Sequence, residues 1–270
     1  MTSIGFVIFV GLGCVIGFLA GFFGIGGGLL LVPLLVFSYS YSGISPSVQT
    51  HLAMGTSLFI IIFTSLMSAY QHDKQHNVYW RAVFSIGPSS GLTAFITAGL
   101  AVGLTGRHLR IVFALVVIAA GILLLIESEA ESQKKLTLGS KPSTLSFIGI
   151  GLASGVISAL AGVGGGVITI PAMYYLLRVP LKLTIGTSSA TVILTAIFSV
   201  AGYISSGIGH ADLPRWSLGF VDLQRGGALI LGTLLWARIG AVASFKTHPY
   251  HLRILFSLFI IALSIYMLVK

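Results

Sequence analysis

The sequence predicts an all-α, polytopic integral membrane protein of about ten helical segments. These form two inverted five-helix repeats, with short or broken helices at two glycine motifs. Three observations carry this expectation. Of 270 residues, 56% are hydrophobic and only 8% are charged, with a mean hydropathy of +1.02; a soluble domain carries roughly 25% charged residues. Several apolar runs approach or exceed the ~20 residues that cross a bilayer as a helix. They are continuous, unlike the alternating segments of about ten residues in a membrane barrel. Finally, the chain repeats itself, with blocks of similar sequence in the same order in each half.

The first apolar run, "MTSIGFVIFVGLGCVIGFLA", has no Lys or Arg before its core. A cleaved signal wants a basic leading region, so this run is read as the first span. The first half then offers apolar segments at 4–22, 26–38 (short), 51–70, 81–103 and 108–126. The second offers 144–161, 164–177 (short), 184–206, 225–243 and 251–269. Between them "ESEAESQKKLTLGSKPST" (Glu127 to Thr144) is the longest charged and polar stretch and reads as a linker. The expected organisation is a first membrane repeat over 1–126, a charged linker over 127–143 and a second repeat over 144–270. Cys14 is the only cysteine, which excludes a disulfide within the chain.

The repeat is explicit. Gly24, Gly26, Gly27, Gly28 and Pro33 match Gly162, Gly164, Gly165, Gly166 and Pro171 at an offset of 138. "MGTSLFIIIFTS" (Met54 to Ser65) matches "IGTSSATVILTA" (Ile185 to Ala196) at 131, and the two "HLRI" segments match at 143. Five spans per half would turn the second repeat upside down. That requires the short second segment to cross; if both short segments are re-entrant, four spans per half make the repeats parallel. With ten crossings, one side receives nine basic residues (Lys74, Arg81, Lys134, Lys135, Lys141, Arg178, Lys182, Lys246, Arg253). The other receives five (Arg107, Arg110, Arg215, Arg225, Lys270). The re-entrant alternative divides them eight against six, so the positive-inside rule favours ten crossings with both termini outside the cytoplasm. The same rule accounts for the net charge of +9. No basic, aromatic-interleaved segment suggests nucleic acid.

Glycine tolerates positive φ, so "GIGGG" (24–28) and "GVGGG" (162–166) can leave helical geometry at low cost. Inside a membrane such backbone survives only where it is buried in protein or lines a cavity. The N–H groups of the following half-helix then carry the positive end of its dipole and suit an anion. Gly26, Gly27 and Gly28 with Gly164, Gly165 and Gly166 are therefore candidate substrate-binding residues. Close packing of helices through small residues is the alternative; it predicts glycines spaced by four along one face, not three in a row. The "GTS" motifs add Thr56, Ser57, Thr187, Ser188 and Ser189 as neutral hydrogen-bond donors, unless each hydroxyl bonds back to its own helix. Gln49, His51 and Arg238 are candidates for the substrate path, and Arg238 is alternatively a residue that snorkels towards the cytoplasmic end.

All six acidic residues (Asp73, Glu127, Glu129, Glu131, Asp212, Asp222) fall in loops or at span ends, so no buried carboxylate relay is expected. His72 and His76 have the spacing of a metal pair, but no matching pair occurs in the other half, and neither a metal nor a cofactor is expected. No nucleophile triad, HExxH, P-loop or dinucleotide fingerprint is present, so the chain is not expected to be an enzyme.

The paired GxGGG…P motif after the first span of each half, followed by GTS in a later span, resembles the sulfite exporter TauE/SafE family. The likeness covers nearly the whole chain. It reaches Gly24, Gly26, Gly27, Gly28, Pro33, Thr56 and Ser57, and Gly164, Gly165, Gly166, Pro171, Thr187 and Ser188. The family often shows GAR late in each half; here the second half has WAR ending at Arg238 and the first has no equivalent. The resemblance implies a polytopic transporter of sulfur-containing anions such as sulfite or organosulfonates. The expected function is a secondary transporter of a small sulfonate such as sulfoacetate, or of sulfite, working by alternating access in a bacterial cytoplasmic (inner) membrane. An anion channel for small oxyanions is the alternative. The partners expected are the anion, the lipid bilayer, a coupling cation where transport runs inward, and a second copy of the chain as a homodimer.

Overall fold

In the computed structural model, residues 3–23, 27–126, 142–246 and 250–269 are described. Gly24, Gly26, most of the expected linker (127–141) and Lys270 lie outside them. The order is α1 (Ser3–Phe23), α2 (Gly28–Tyr41), α3 (Pro46–Lys74), α4 (Trp80–Ala101), α5 (Gly106–Ile126) and α6 (Thr144–Ala161). Then come α7 (Gly166–Pro171), continued by one π-helical turn (Ala172–Leu176), and α8 (Leu181–Gly207). A two-strand ribbon, β1 (Ser217–Leu218) against β2 (Val221–Asp222), precedes α9 (Leu223–Lys246) and α10 (Tyr250–Val269). The fold is an all-α polytopic membrane protein. Among the described residues, six helices are long and apolar enough to cross a bilayer: α1, α3, α4, α5, α6 and α8.

Local chemistry explains the helix ends. Ser143 caps α6 by accepting the Ser146 N–H at 3.2 Å. Pro46 opens α3 at its first turn, where no N–H is needed, and Pro180 sits just before α8. Gly162 closes α6 with φ 67°. Pro171 ends α7, and the turn that follows widens to π geometry because proline cannot donate to the carbonyl behind it.

The two short segments are half-helices. At 1.5 Å per residue, the 14 residues of α2 reach roughly 21 Å and the 11 of α7 with its π-turn roughly 16 Å, against a bilayer core of about 30 Å. Neither crosses as helix alone. Both are packed inward: Leu31, Val32, Leu35 and Tyr39 of α2 are fully buried, as is Met173 beyond α7. The long helices α3 and α8 form the centre, with 72% and 67% of their apolar stretches buried, against 33% for α1 and α5.

Each half of the chain lends its first helix to the other. α1 packs on α9, and α6 packs on α4. The seams are glycine-lined and correspond position by position. A Cβ on Gly13 would fall 2.6 Å from the Leu229 carbonyl, and one on Gly151 would fall 2.7 Å from that of Ile86. One turn on, Gly17 meets the backbone of Thr233 and Gly155 that of Ser90. Glycine is required here by close approach of two backbones, the small-residue contact that drives helix association in lipid. Gly149, on α6, has no neighbour within 4 Å.

Gly17→Leu and Gly155→Leu are accordingly expected to cost at least about 1–3 kcal/mol through overpacking, seen as a lowered melting temperature and loss of the monodisperse peak in size-exclusion chromatography. Gly149→Leu should keep both at wild-type values.

Candidate functional site

The glycine motifs are elbows. Gly27 (φ 82°) and Gly165 (φ 80°) both adopt left-handed geometry immediately before α2 and α7, and Gly162 and Gly164 are also left-handed. No side chain caps either half-helix. The Gly27 carbonyl accepts from Leu30 and Leu31, and the Gly165 carbonyl from Ile168 and Thr169, each at 3.1 Å. The N–H groups ahead of these, on Gly28 and Leu29 and on Gly166 and Val167, have no acceptor within their own helix, as at any helix start.

The elbows meet. A Cβ on Gly28 would lie 2.6 Å from Val163 Cα and 2.8 Å from the Gly162 carbonyl oxygen, so the first elbow rests on the second. Ser57 Oγ donates to that same Gly162 carbonyl at 2.9 Å. On the far side, Ser154 Oγ donates to the Gly165 carbonyl at 3.0 Å, and Thr169 Oγ1 donates to Ser154 Oγ at 3.0 Å. The Gly162 carbonyl therefore finds a hydroxyl from a neighbouring helix, which is how broken backbone is kept inside a membrane, and the Gly165 carbonyl takes a hydroxyl in addition to its bonds within α7.

The GTS motifs are bound reciprocally. Thr56 Oγ1 accepts from the Asp222 N–H, and Thr187 Oγ1 accepts from the Tyr79 N–H, each at 2.9 Å. Asp222 and Tyr79 stand 143 positions apart, the offset of the "HLRI" blocks. The neighbouring glycines repeat the exchange: Gly55 abuts the Phe220 carbonyl, and Gly186 abuts that of Asn77. Behind them, the Phe220 N–H donates to the Tyr203 carbonyl and the Asn77 N–H to that of His72. Each GTS segment is thus clamped by the loop that follows the equivalent helix of the other half.

The remaining predicted residues fall in different surroundings. Ser189 Oγ lies 3.0 Å from Ser68 Oγ and also bonds back to the Ile185 carbonyl. Ser188 Oγ is buried without a hydrogen-bond partner. Gln49 is occupied structurally, donating to the Ile44 carbonyl at 2.6 Å and accepting from Ser40. His51 Nε2 lies 3.1 Å and 3.3 Å from the Leu104 and Ala101 carbonyls, with its ring beside Phe220. Arg238 is exposed on α9, while its neighbour Ala237 faces α1. A cavity of about 560 Å³ lies between α1, α2, α3, α5 and α10, lined chiefly by Leu, Val, Ile and Phe with Gln49 at its wall; neither elbow's glycines border it.

One cluster was not anticipated. Asp222, placed by its sequence position at a span end, is 2% exposed. Its Oδ1 caps α9 by accepting from Gln224 N (3.0 Å) and Arg225 N (3.1 Å), and its Oδ2 pairs with Arg225 Nη1 at 3.0 Å. Arg225 Nη2 donates to Ser42 Oγ at 2.7 Å, and the guanidinium lies 4.7 Å from the centre of the Tyr39 ring. The Tyr39 and Thr56 hydroxyls are 3.2 Å apart. The Asp-x-x-Arg spacing at the head of a span was the available signal, since it suits an N-cap with its i+3 partner.

Spanning helices, paired half-helices and a buried, largely neutral polar centre define a polytopic membrane protein of the transporter class. The chain belongs to the family described as "Sulfite exporter TauE/SafE", whose profile matches residues 9–267. It is 34% identical over 262 residues to a "Probable membrane transporter protein" of Haemophilus influenzae, covering 96% of each chain. It is 29% identical over 258 residues to "Probable membrane transporter protein MJ0441" of Methanocaldococcus jannaschii, covering 95% of this chain and 92% of that one. No solved structure is a significant match.

Thr56→Val and Thr187→Val should leave a backbone N–H without an acceptor, buried at Asp222 and half-buried at Tyr79, at a cost of about 1–3 kcal/mol that is larger for Thr56. Thermal unfolding in detergent is expected to show both losses, with Thr→Ser at either position restoring most of the stability.

Proposed function

We propose that the chain is a secondary transporter of a small sulfur-containing anion, an organosulfonate such as sulfoacetate or sulfite, in a bacterial cytoplasmic membrane. Transport proceeds by alternating access between two inverted repeats. The observation that carries this reading is the reciprocal clamp, in which Thr56 accepts from Asp222 and Thr187 from Tyr79. Exchange of equivalent contacts in both directions is the signature of two-fold relation between halves. In this reading each elbow and its half-helix together complete a fifth crossing in each half, which puts that axis in the membrane plane, the arrangement of inverted-repeat transporters.

The substrate then belongs where the elbows meet. Gly27 and Gly165 each turn the chain so that the first N–H groups of α2 and α7 are uncapped by any side chain. These are oriented dipole ends in a low-dielectric setting, suited to sulfonate or sulfite oxygens. Ser57 bonds across to the second elbow, and Thr56 and Thr187 fix the loops that flank it. In this reading the two repeats rock about the elbow contact, opening the site to one side and then the other, while the clamps on the two GTS segments tighten and loosen in turn.

Energetics set the direction. Export of a monovalent anion runs with an inside-negative potential, at about 2.3 kcal/mol per charge per 100 mV. Inward transport would need a coupled cation, which broken-helix carbonyls suit better than the sparse carboxylates.

Gly27→Leu and Gly165→Leu force a side chain into left-handed backbone and should reduce flux of labelled sulfoacetate or sulfite in proteoliposomes by at least tenfold, with insertion retained. Wild-type flux should saturate and be stimulated by counterflow; linear flux without counterflow would mark an anion channel instead, and wild-type flux in both variants would remove the elbows from the mechanism.

A further inference from the structure

The anion site as described rests on neutral groups, yet a fixed charge stands beside the GTS segment whose Ser57 reaches the second elbow. Arg225 is the first-turn cation of α9, and its side chain is 14% exposed beside an Asp222 carboxylate that is 3% exposed. Three features distinguish it from a surface arginine. Its plane is fixed by the Tyr39 ring and by Ser42, both near the far end of the half-helix that begins at the Gly27 elbow. Its Nη1 and Nη2 are engaged, but its Nε is buried and has no hydrogen-bond partner. It is also within one residue of the GTS segment: a Cβ on Gly226 would lie 3.4 Å from Thr56 Cγ2.

A buried guanidinium N–H without an acceptor is costly, and charged donors cost more than neutral ones. Arg225 therefore holds one unused donor in a planar fork that fits a tetrahedral oxyanion or carboxylate bidentately. Asp222 uses only one face of that fork. Asp222 holds Nη1, so the edge of the fork open to a bidentate partner is Nε with Nη2. An incoming anion that takes the place of Ser42 on Nη2 and also bonds Nε replaces a neutral acceptor by a charged one and gains a hydrogen bond. Asp222 retains its two backbone donors at the start of α9 throughout the exchange.

The other repeat has no counterpart. The positions equivalent to Asp222 and Arg225, 143 residues earlier, are Tyr79 and Ala82, and the position equivalent to Tyr39, 138 residues later, is Leu177. The two halves share the threonine clamp and differ in charge.

We propose that Arg225 is the residue that meets the negative charge of the transported anion, on one side of the membrane only, with Asp222 fixing the guanidinium from Nη1. This rests on the reading of the chain as an anion transporter. Release of Ser42 from Nη2 when the anion binds reports to the end of α2, so occupancy is felt along α2 towards the elbow.

The test is calorimetric titration of sulfoacetate and of sulfite into the purified full-length chain in detergent, comparing wild type with Asp222→Asn, Arg225→Gln and Arg225→Lys. Asn keeps the helix cap and removes the neighbouring negative charge, so D222N should bind the anion at least about threefold more tightly. R225Q should weaken binding at least about tenfold, the scale of one charged hydrogen bond, and R225K should fall between R225Q and wild type. Wild-type affinity in R225Q overturns the assignment and leaves the transporter reading standing. If R225Q fails to fold, D222N decides, and unchanged or weaker binding in D222N overturns it. Absence of saturable binding of either anion to the wild type overturns the transporter reading and this proposal together.

Discussion

The structure depends on one constraint: backbone that stops being helical inside a bilayer must find its hydrogen bonds in other parts of the protein, because water is not there to supply them. At Gly162 the carbonyl is taken by Ser57 from the other half of the chain, and at Gly165 by Ser154. These bonds make the breaks tolerable, and the Ser57 bond ties the two halves together at the second elbow. The hydroxyls serve because they donate without carrying a fixed charge into the apolar centre.

The glycine seams answer a second need. Lipid tails are as apolar as leucine, so nothing squeezes the helices together except contact itself. Gly13 and Gly17 let α1 lie against the backbone of α9, and Gly151 and Gly155 do the same for α6 on α4. Because each half donates its first helix to the other, neither half has a complete core alone. The long buried helices α3 and α8 are common to both, and their GTS segments are gripped by the loops of the opposite half. Glycine thus has two uses here, free dihedrals at the elbows and thinness at the seams, and the same residue type gives no hint in isolation of which one applies.

Symmetry is kept in the backbone and relaxed in the side chains. The clamps on Thr56 and Thr187 have equal lengths, and Phe220 and Asn77 close their turns onto Tyr203 and His72 in the same way. The charges depart from this pattern: Asp222 and Arg225 stand opposite Tyr79 and Ala82. A polar network of Thr56, Tyr39, Asp222, Arg225 and Ser42 therefore binds the end of α2 to the head of α9, whereas the end of the π-turn after α7 packs in an apolar cluster with Phe147 and Met173. Two packings of unequal polarity thus sit on a common frame.

By itself the sequence determined the class of protein, the bounds of the helical segments to within a few residues, the two elbows and the duplicated blocks. Hydropathy and glycine placement are local properties, and a bilayer converts them directly into span and break. The short extent of 26–38 and 164–177 was already legible as half-helix. Only the tertiary structure decided which half each helix packs on, that Gln49 and His51 are occupied by backbone carbonyls, that Arg238 is exposed, and that Asp222 is buried against Arg225. A carboxylate at the head of a span reads as solvated in one dimension. Its burial comes from Tyr39 and Thr56, 183 and 166 positions away, and burial depends on neighbours that only the folded chain brings together.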